Sequence, residues 1–264
     1  MSGNDDIDTA ALRELALDLR WTWDHGTDEL WTELDPELWS LTHNPWVVLQ
    51  AASQKTLRDF LARPGFLRRV EDLLSRRRQY LESAAWFQQA HQQSPLTRVA
   101  YFSMEFALSE ALPIYSGGLG NVAGDQLKAA SDLGVPVIGV GLLYQQGYFR
   151  QVIGADGRQE ALYPYNDPHQ LPITPVRNEK GELLRLAVHT PGHKIWLRAW
   201  EVRIGAVTLY LLDSNDARTR PPSGASRASC TAGESSFGCG RRCCWGSAAG
   251  GCCEHSGSSP RSAI

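Results

Sequence analysis

The stretch that most constrains the fold is a glycine turn at residues 116–125, which reads SGGLGNVAGD. Three of the four positions from 117 to 120 are glycine, and apolar residues at helical spacing follow them. Residues 98–102 before the turn and residues 135–140 after it have the composition of strands, and Gly134 stands where a helix should stop. The order strand, loop, glycine turn, helix, strand predicts an α/β core.

The residues alone leave two interpretations of this turn open. Backbone without a Cβ atom lets a ligand approach closely, and the unpaired N–H groups at a helix start favour phosphates or sugar hydroxyls. Alternatively, the glycines only permit close packing in a tight strand-to-helix turn. The spacing matches neither the dinucleotide-binding fingerprint nor the P-loop, so no known motif decides between them.

The loop before the turn contains two carboxylates, Glu105 and Glu110. They could form a catalytic pair, or they could be capping and solvated charges. The test for a catalytic pair is the distance between the two groups in space, which sequence spacing does not provide.

Residues 1–93 are predicted to form a helical domain, with its first confident helix at residues 9–23. Because each indole buries a large area, the tryptophans of this segment predict a packed core, with sugar stacking by one of them as the alternative. His25 and His43 are expected to be polar or capping residues, because no second ligand lies at metal-ligand spacing. The tryptophans are Trp21, Trp23, Trp31, Trp39, Trp46 and Trp86.

Residues 97–216 are predicted to form an α/β domain whose later part consists of hairpins. Asp156-Gly157 is a strong turn signal after a strand at residues 148–153. An antiparallel sheet is expected to complete the core. Its further strands are predicted at residues 183–190, 194–203 and 207–213.

Composition excludes several classes of function. The net charge of −3 gives no reason to expect nucleic acid or an anionic membrane as a partner. No apolar run approaches the roughly 20 residues of a membrane span, and the acidic, polar amino terminus does not resemble a signal peptide. All six cysteines lie after residue 229, so a reducing compartment suits the preceding residues, and a cytoplasmic location is predicted.

Residues 217–264 are predicted to be disordered, because they show no helical or strand period. The chain has only four lysines among 26 basic residues, which suggests GC-rich coding DNA. The hypothesis is that a frameshift near codon 216 replaces the native continuation. A zinc site is the alternative, but adjacent cysteine pairs are not C-x-x-C pairs, so no metal is predicted. That site would use Cys239, Cys243, Cys244, Cys252, Cys253 and His255.

Several stretches, in order, resemble the amino-terminal part of bacterial α-glucan (glycogen) phosphorylases. The helical first 90 residues resemble the extra amino-terminal domain of the short bacterial members. The matching stretches include YFSMEF, SGGLG, GLLYQQGYFRQ, WLRAW and LYLLDSND, which begin at residues 101, 116, 141, 196 and 209.

The resemblance implies a GT-B fold, of which residues 97–216 would form an incomplete amino-terminal domain. Family members cleave α-1,4-glucan with inorganic phosphate and release glucose 1-phosphate. Pyridoxal phosphate is their cofactor, held by a lysine of the second domain. By position, the backbone at Gly117, Gly118 and Leu119 would face the glucosyl unit and the phosphates, with Glu105 near the glucose pocket.

The sequence departs from the family in lacking the second domain and a lysine in the cofactor context. Lys128 is expected on a solvated face of the helix after the glycine turn, and the other lysines in a helical surface, a turn and a strand start. This chain alone is therefore expected to hold no catalytic residue, to bind no pyridoxal phosphate and to be inactive. The alternatives are a fragment resembling a glycogen or starch synthase, and a non-catalytic glucan-binding remnant.

Overall fold

The computed structural model describes residues 3–190 and 193–218, which run from a helical segment into a mixed sheet. The helices are α1 Gly3–Leu17, α2 Asp28–Leu34, α3 Pro36–Thr42, α4 Pro45–Ala51, α5 Gln54–Leu61, α6 Pro64–Glu82, α7 Trp86–Ala90 and α8 Gly118–Leu133. The strands are β1 Val99–Phe102, β2 Val137–Leu142, β3 Arg150–Ile153, β4 Gln159–Leu162, β5 Thr174–Pro175, β6 Arg185–Thr190, β7 His193–Ile204 and β8 Val207–Asp213.

Side-chain caps set the starts of the short helices. Asp35 accepts a 2.9 Å hydrogen bond from the Leu38 N–H at the start of α3. Asn44 accepts a 3.0 Å bond from the Trp46 N–H at the start of α4. A proline follows each cap, where its missing N–H costs nothing because the first helical N–H groups have no intrahelical acceptor.

The tryptophans of the helical segment mostly form a core, as predicted. Trp31, Trp39 and Trp46 are buried together with Leu12 of α1 and Phe66 of α6. Each such side chain contributes roughly 1.5–3 kcal/mol when fully buried. Packing therefore stabilises helices that are too short to be stable alone.

The predicted helix at residues 9–23 is wrong in its second half. The α-helix ends at Leu17, and Asp18 caps a separate 3₁₀ turn at Leu19–Thr22. Leu19 and Trp21 are buried in the core of the sheet rather than in the helical core. Contacts distant in sequence thus override the helical period here.

The main sheet is mixed, with a parallel part around β2 and an antiparallel part around β7. β1 pairs with β2 in parallel, and α8 makes the crossover between them. β8 also pairs with β2 in parallel, whereas β7 pairs antiparallel with β8, β6 and β5. β3 and β4 form a separate two-stranded hairpin. The predicted strands are therefore present, but β8 joins the parallel part of the sheet.

The turn between β7 and β8 is held by side chains from two helical elements. The Gly205 N–H donates to Asp18 at 2.8 Å, and the Ala206 N–H donates to the Ser131 hydroxyl oxygen at 2.9 Å. The Tyr80 and Ser131 hydroxyls are also hydrogen-bonded, at 2.7 Å. The helical segment, α8 and the sheet therefore meet at one turn.

Asp18 is a buried charge with a buried partner. Its Oδ2 lies 2.8 Å from Arg77 Nε, and the two side chains are 5% and 11% exposed. Arg77 also pairs with Glu14 at 2.6 Å, but the Glu14 side chain is 40% exposed. Asp18 therefore satisfies both the guanidinium of α6 and the backbone of the β7–β8 turn.

Replacing Asp18 should destabilise the protein much more than replacing Glu14. Asp18→Ala leaves Arg77 Nε and the Gly205 N–H without their acceptor and removes the buried partner charge of Arg77, so the free energy of unfolding should fall by about 3–5 kcal/mol. Glu14→Ala removes an exposed partner of the same arginine and should cost about 1 kcal/mol or less. Urea unfolding followed by circular dichroism measures both, and equal losses would contradict the assigned role of Asp18.

The predictions for the carboxy-terminal residues, for membrane spans and for metal sites compare with the structure as follows. The predicted disordered segment at residues 217–264, with its cysteine cluster, lies outside the described residues, apart from residues 217 and 218. Among the described residues, no helix is long and apolar enough to cross a membrane. Within residues 3–190 and 193–218, no group of His, Cys, Asp and Glu side chains could hold a metal ion.

Candidate functional site

The glycine turn divides into a packed half and an open half. A Cβ atom added to Gly124 would lie 2.1 Å from the Ala107 carbonyl oxygen, and one added to Gly120 would lie 2.8 Å from Tyr115 Cβ. The Ala107 N–H also donates to the Gly120 carbonyl at 2.8 Å. These two glycines let α8 lie directly against the loop that follows β1, which is the packing interpretation.

Among the described residues, no packing contact requires a glycine at position 117 or 118. A Cβ atom at either position would meet nothing within 4 Å. Gly117 is the residue before α8, and its φ of −167° is extended backbone that any residue adopts. The absence of a side chain at these two positions therefore leaves space in front of the helix start, as the ligand interpretation requires.

Free donors face this space at the start of α8. In the part of the chain that the structure describes, the N–H groups of Gly118 and Leu119 donate to no protein acceptor. The Leu119 side chain is 80% exposed, so it does not anchor the turn in the core. A helix of 16 residues adds partial positive charge at this end, which favours an anion.

Glu105 organises the turn from the loop after β1. Its carboxylate accepts hydrogen bonds from the Ser116 N–H at 3.0 Å, the Ser116 hydroxyl at 2.5 Å and the Gly117 N–H at 3.3 Å. It therefore occupies the donors just before α8 and not those of Gly118 and Leu119. The structure places Glu105 beside the three predicted backbone positions.

Glu110 has a different partner. It accepts a short hydrogen bond from the Tyr115 hydroxyl. Burial, and then the bond to Glu110, raises the pKa of Tyr115 to about 12, so this tyrosine stays protonated at neutral pH. Each carboxylate thus binds a residue of the segment that leads into the glycine turn, which favours the capping interpretation. Sequence reasoning missed Tyr115, although it directly precedes Ser116.

Three of the four lysines are exposed, and the fourth, Lys128, is half-buried. Lys55, Lys180 and Lys194 are exposed, whereas a Schiff-base lysine needs a desolvated pocket. The expectation of a solvated Lys128 is wrong: it is half-buried, and its ammonium lies 5.8 Å from the centroid of the Trp23 ring. Burial lowers the pKa of Lys128, while Asp125 raises it. The Trp23 ring beside Lys128 does not provide hydrogen-bond donors for the phosphate group of the cofactor.

Two cavities in the described residues lie away from the glycine turn. One of about 180 Å³ lies beside β7, next to His169, Arg177 and Trp200. Another of about 90 Å³ lies in the helical segment, next to Asp18 and Arg77. The start of α8 is therefore an open surface and not part of either cavity.

These features define a mixed α/β protein in which a long helix begins at an open glycine turn with free N–H groups. Comparison with known proteins gives its family. Residues 8–112 match a family described as a protein of unknown function (DUF3417).

Several longer relatives are named as enzymes. The chain is 42% identical over 214 residues to the glycogen phosphorylase of Mycobacterium tuberculosis, covering 78% of this chain and 25% of the relative. It is 38% identical over 213 residues to the maltodextrin phosphorylase of Thermococcus litoralis, covering 80% and 25%. For the glycogen phosphorylase of Aquifex aeolicus, the identity is 36% over 211 residues, covering 80% and 30%.

The chain belongs to the glycogen and maltodextrin phosphorylase family, as the sequence motifs indicated. It spans between 25% and 30% of the length of these curated relatives. The activity of the longer proteins is therefore a basis for a proposal about this chain.

The two halves of the glycine turn should respond differently to a methyl group. Gly124→Ala should destabilise the protein by about 1–3 kcal/mol or more, because its Cβ collides with the Ala107 backbone. Gly118→Ala should be neutral or stabilise it by up to about 1 kcal/mol, because the space is open and alanine favours the helix. Thermal unfolding of both variants checks this, and a comparable loss at Gly118 would show that this glycine also serves packing.

Proposed function

We propose that this chain provides the glucan- and phosphate-facing wall of an α-glucan phosphorylase. The observation that carries the proposal is the open start of α8, where Gly117 and Gly118 leave space and two N–H groups have no acceptor among residues 3–190 and 193–218. The names glycogen phosphorylase and maltodextrin phosphorylase of the relatives support glycogen or maltodextrin as the substrate, and inorganic phosphate would be the co-substrate of phosphorolysis.

The role of the turn follows from the charge of the reactants. Phosphorolysis brings an anion next to a glycosidic oxygen, and fixed N–H dipoles at a helix start stabilise such charge without reorganising. Gly118 and Leu119 would supply the two donors, and Gly117 would leave room for the sugar. Glu105 would hold the turn in shape through Ser116, next to the glucose pocket.

The proposal extends to the surroundings of this wall. The mixed sheet with α8 would be part of the amino-terminal domain of a GT-B fold, with the active site between it and a second domain. Pyridoxal phosphate would serve the complete enzyme from that second domain, since no lysine of this chain fits it. The partners would be α-1,4-glucan and phosphate, without nucleic acid or membrane, in the cytoplasm.

Phosphate should bind at the start of α8. In a titration of the ¹⁵N-labelled chain with inorganic phosphate, the amide signals of Gly118 and Leu119 should shift saturably. Gly118→Val should weaken this binding about tenfold or more, because its side chain would keep the anion away from the N–H groups. Sodium chloride of equal ionic strength is the ligand control.

Gly65→Val is the matched protein control. Gly65 lies in the first turn of α6, and an added Cβ meets nothing there within 4 Å. This variant should leave the signal of Leu119 and its phosphate response unchanged. Equal phosphate binding by Gly118→Val and the unmodified chain would contradict the proposed donor role.

The 264-residue chain alone should not catalyse phosphorolysis. Holding the reactants in place can supply roughly 7–11 kcal/mol of a barrier, and in this proposal that needs both walls of the cleft. After incubation with pyridoxal phosphate, the purified chain should show no Schiff-base absorbance and should release no glucose 1-phosphate from glycogen. A borohydride-trapped adduct at one lysine, together with turnover, would overturn this proposal.

A further inference from the structure

An aromatic platform lies far from the glycine turn, formed by Trp86, Phe87 and His91. Trp86 is 51% exposed, whereas most other tryptophans of the helical segment are buried. Its ring meets the His91 ring edge-on, with centroids 5.0 Å apart at 80°, and the Phe87 ring lies 5.3 Å from His91. The exposed indole is therefore supported from one side by two further rings.

The platform is attached to the end of α8 opposite the glycine turn. Gln88 of α7 donates a 2.7 Å hydrogen bond to the carbonyl of Gly134, which follows α8 directly. Gln89 donates to the Ala84 carbonyl at 2.5 Å and closes the local turn. With 16 residues, α8 is about 24 Å long, so a ligand on Trp86 does not compete with one at Gly118.

The segment that contains Trp86 has no carboxylate, ammonium or guanidinium side chain. Residues 84–97 contain no Asp, Glu, Lys or Arg, although 21% of the chain is charged and a segment of this length would carry about three such residues. Instead, the segment contains four glutamines with hydroxyl and imidazole side chains, and nearly all of it is exposed. A charged ligand would find no ion-pair partner in this segment.

We infer that this platform is a second binding site for a neutral glucan chain. A pyranose ring presents an apolar C–H face that stacks on an indole, and its hydroxyls pair with uncharged amides such as Gln89, Gln92 and Gln93. The identification of the sugar as α-1,4-glucan rests on the proposed function. A long glucan that contacts both ends of α8 gains from effective concentration, whereas a short oligosaccharide does not.

The test is affinity electrophoresis in native gels that contain glycogen. Trp86→Ala should weaken glycogen binding about tenfold or more, because the stacking surface is lost. Trp86→Tyr keeps an aromatic ring and should retain most of the retardation. Tyr165→Ala removes another exposed aromatic side chain away from the platform and should change nothing. Melting temperatures of all variants are measured in parallel.

The outcomes separate this site from the one at the glycine turn. Gly118→Val should lose phosphate binding but weaken the retardation by glycogen less than Trp86→Ala does, because it keeps the stacking surface and loses only the contact at the other end of α8. Equal retardation of Trp86→Ala and the unmodified chain, or no retardation of either, overturns the platform and leaves the phosphate titration to decide the proposed function. If Trp86→Ala unfolds, Trp86→Tyr decides: a folded variant that has lost glycogen binding contradicts a general stacking role.

Discussion

The arrangement of the layers depends on how the turn between β7 and β8 is hydrogen-bonded. Its two adjacent N–H groups have buried acceptors from different parts of the chain: the Asp18 carboxylate at the end of the first helix and the Ser131 hydroxyl on α8. Both acceptors are buried, and a buried polar group that loses its partner costs about 1–3 kcal/mol, so this turn specifies where both helical elements lie. The position of α8, and with it the start of that helix, is thereby linked to the sheet.

The glycine turn shows how one short stretch can serve both packing and access. Gly120 and Gly124 bring α8 into contact with the loop after β1, while Gly117 and Gly118 face open space. Close packing at Gly120 and Gly124 fixes the helix axis, and the N–H groups of Gly118 and Leu119, which have no acceptor among the described residues, lie at its end. The packing interpretation is therefore confirmed for Gly120 and Gly124, whereas the ligand interpretation stays a prediction for Gly117 and Gly118.

Membership of the phosphorylase family gives this geometry a context. The chain corresponds to about a quarter of the length of the relatives, and in the proposed function the open helix start would be one wall of a larger site. The exposed tryptophan platform at the other end of α8 would add a contact for long glucans. Both proposals use the same helix, but they depend on different physical interactions: fixed dipoles at one end and aromatic stacking at the other.

Local signals in the sequence predicted much of the structure by themselves. Caps such as Asp35 and Asn44, the turn at Gly157 and the periods of most helices and strands act over a few residues, as did the motifs that pointed to the family. Only the tertiary structure decided the end of α1, the parallel pairing of β8 and the partial burial of Lys128. It also decided which glycines are packed. Each of these depends on atoms distant in the chain, because burial and hydrogen bonding between layers outweigh local propensity.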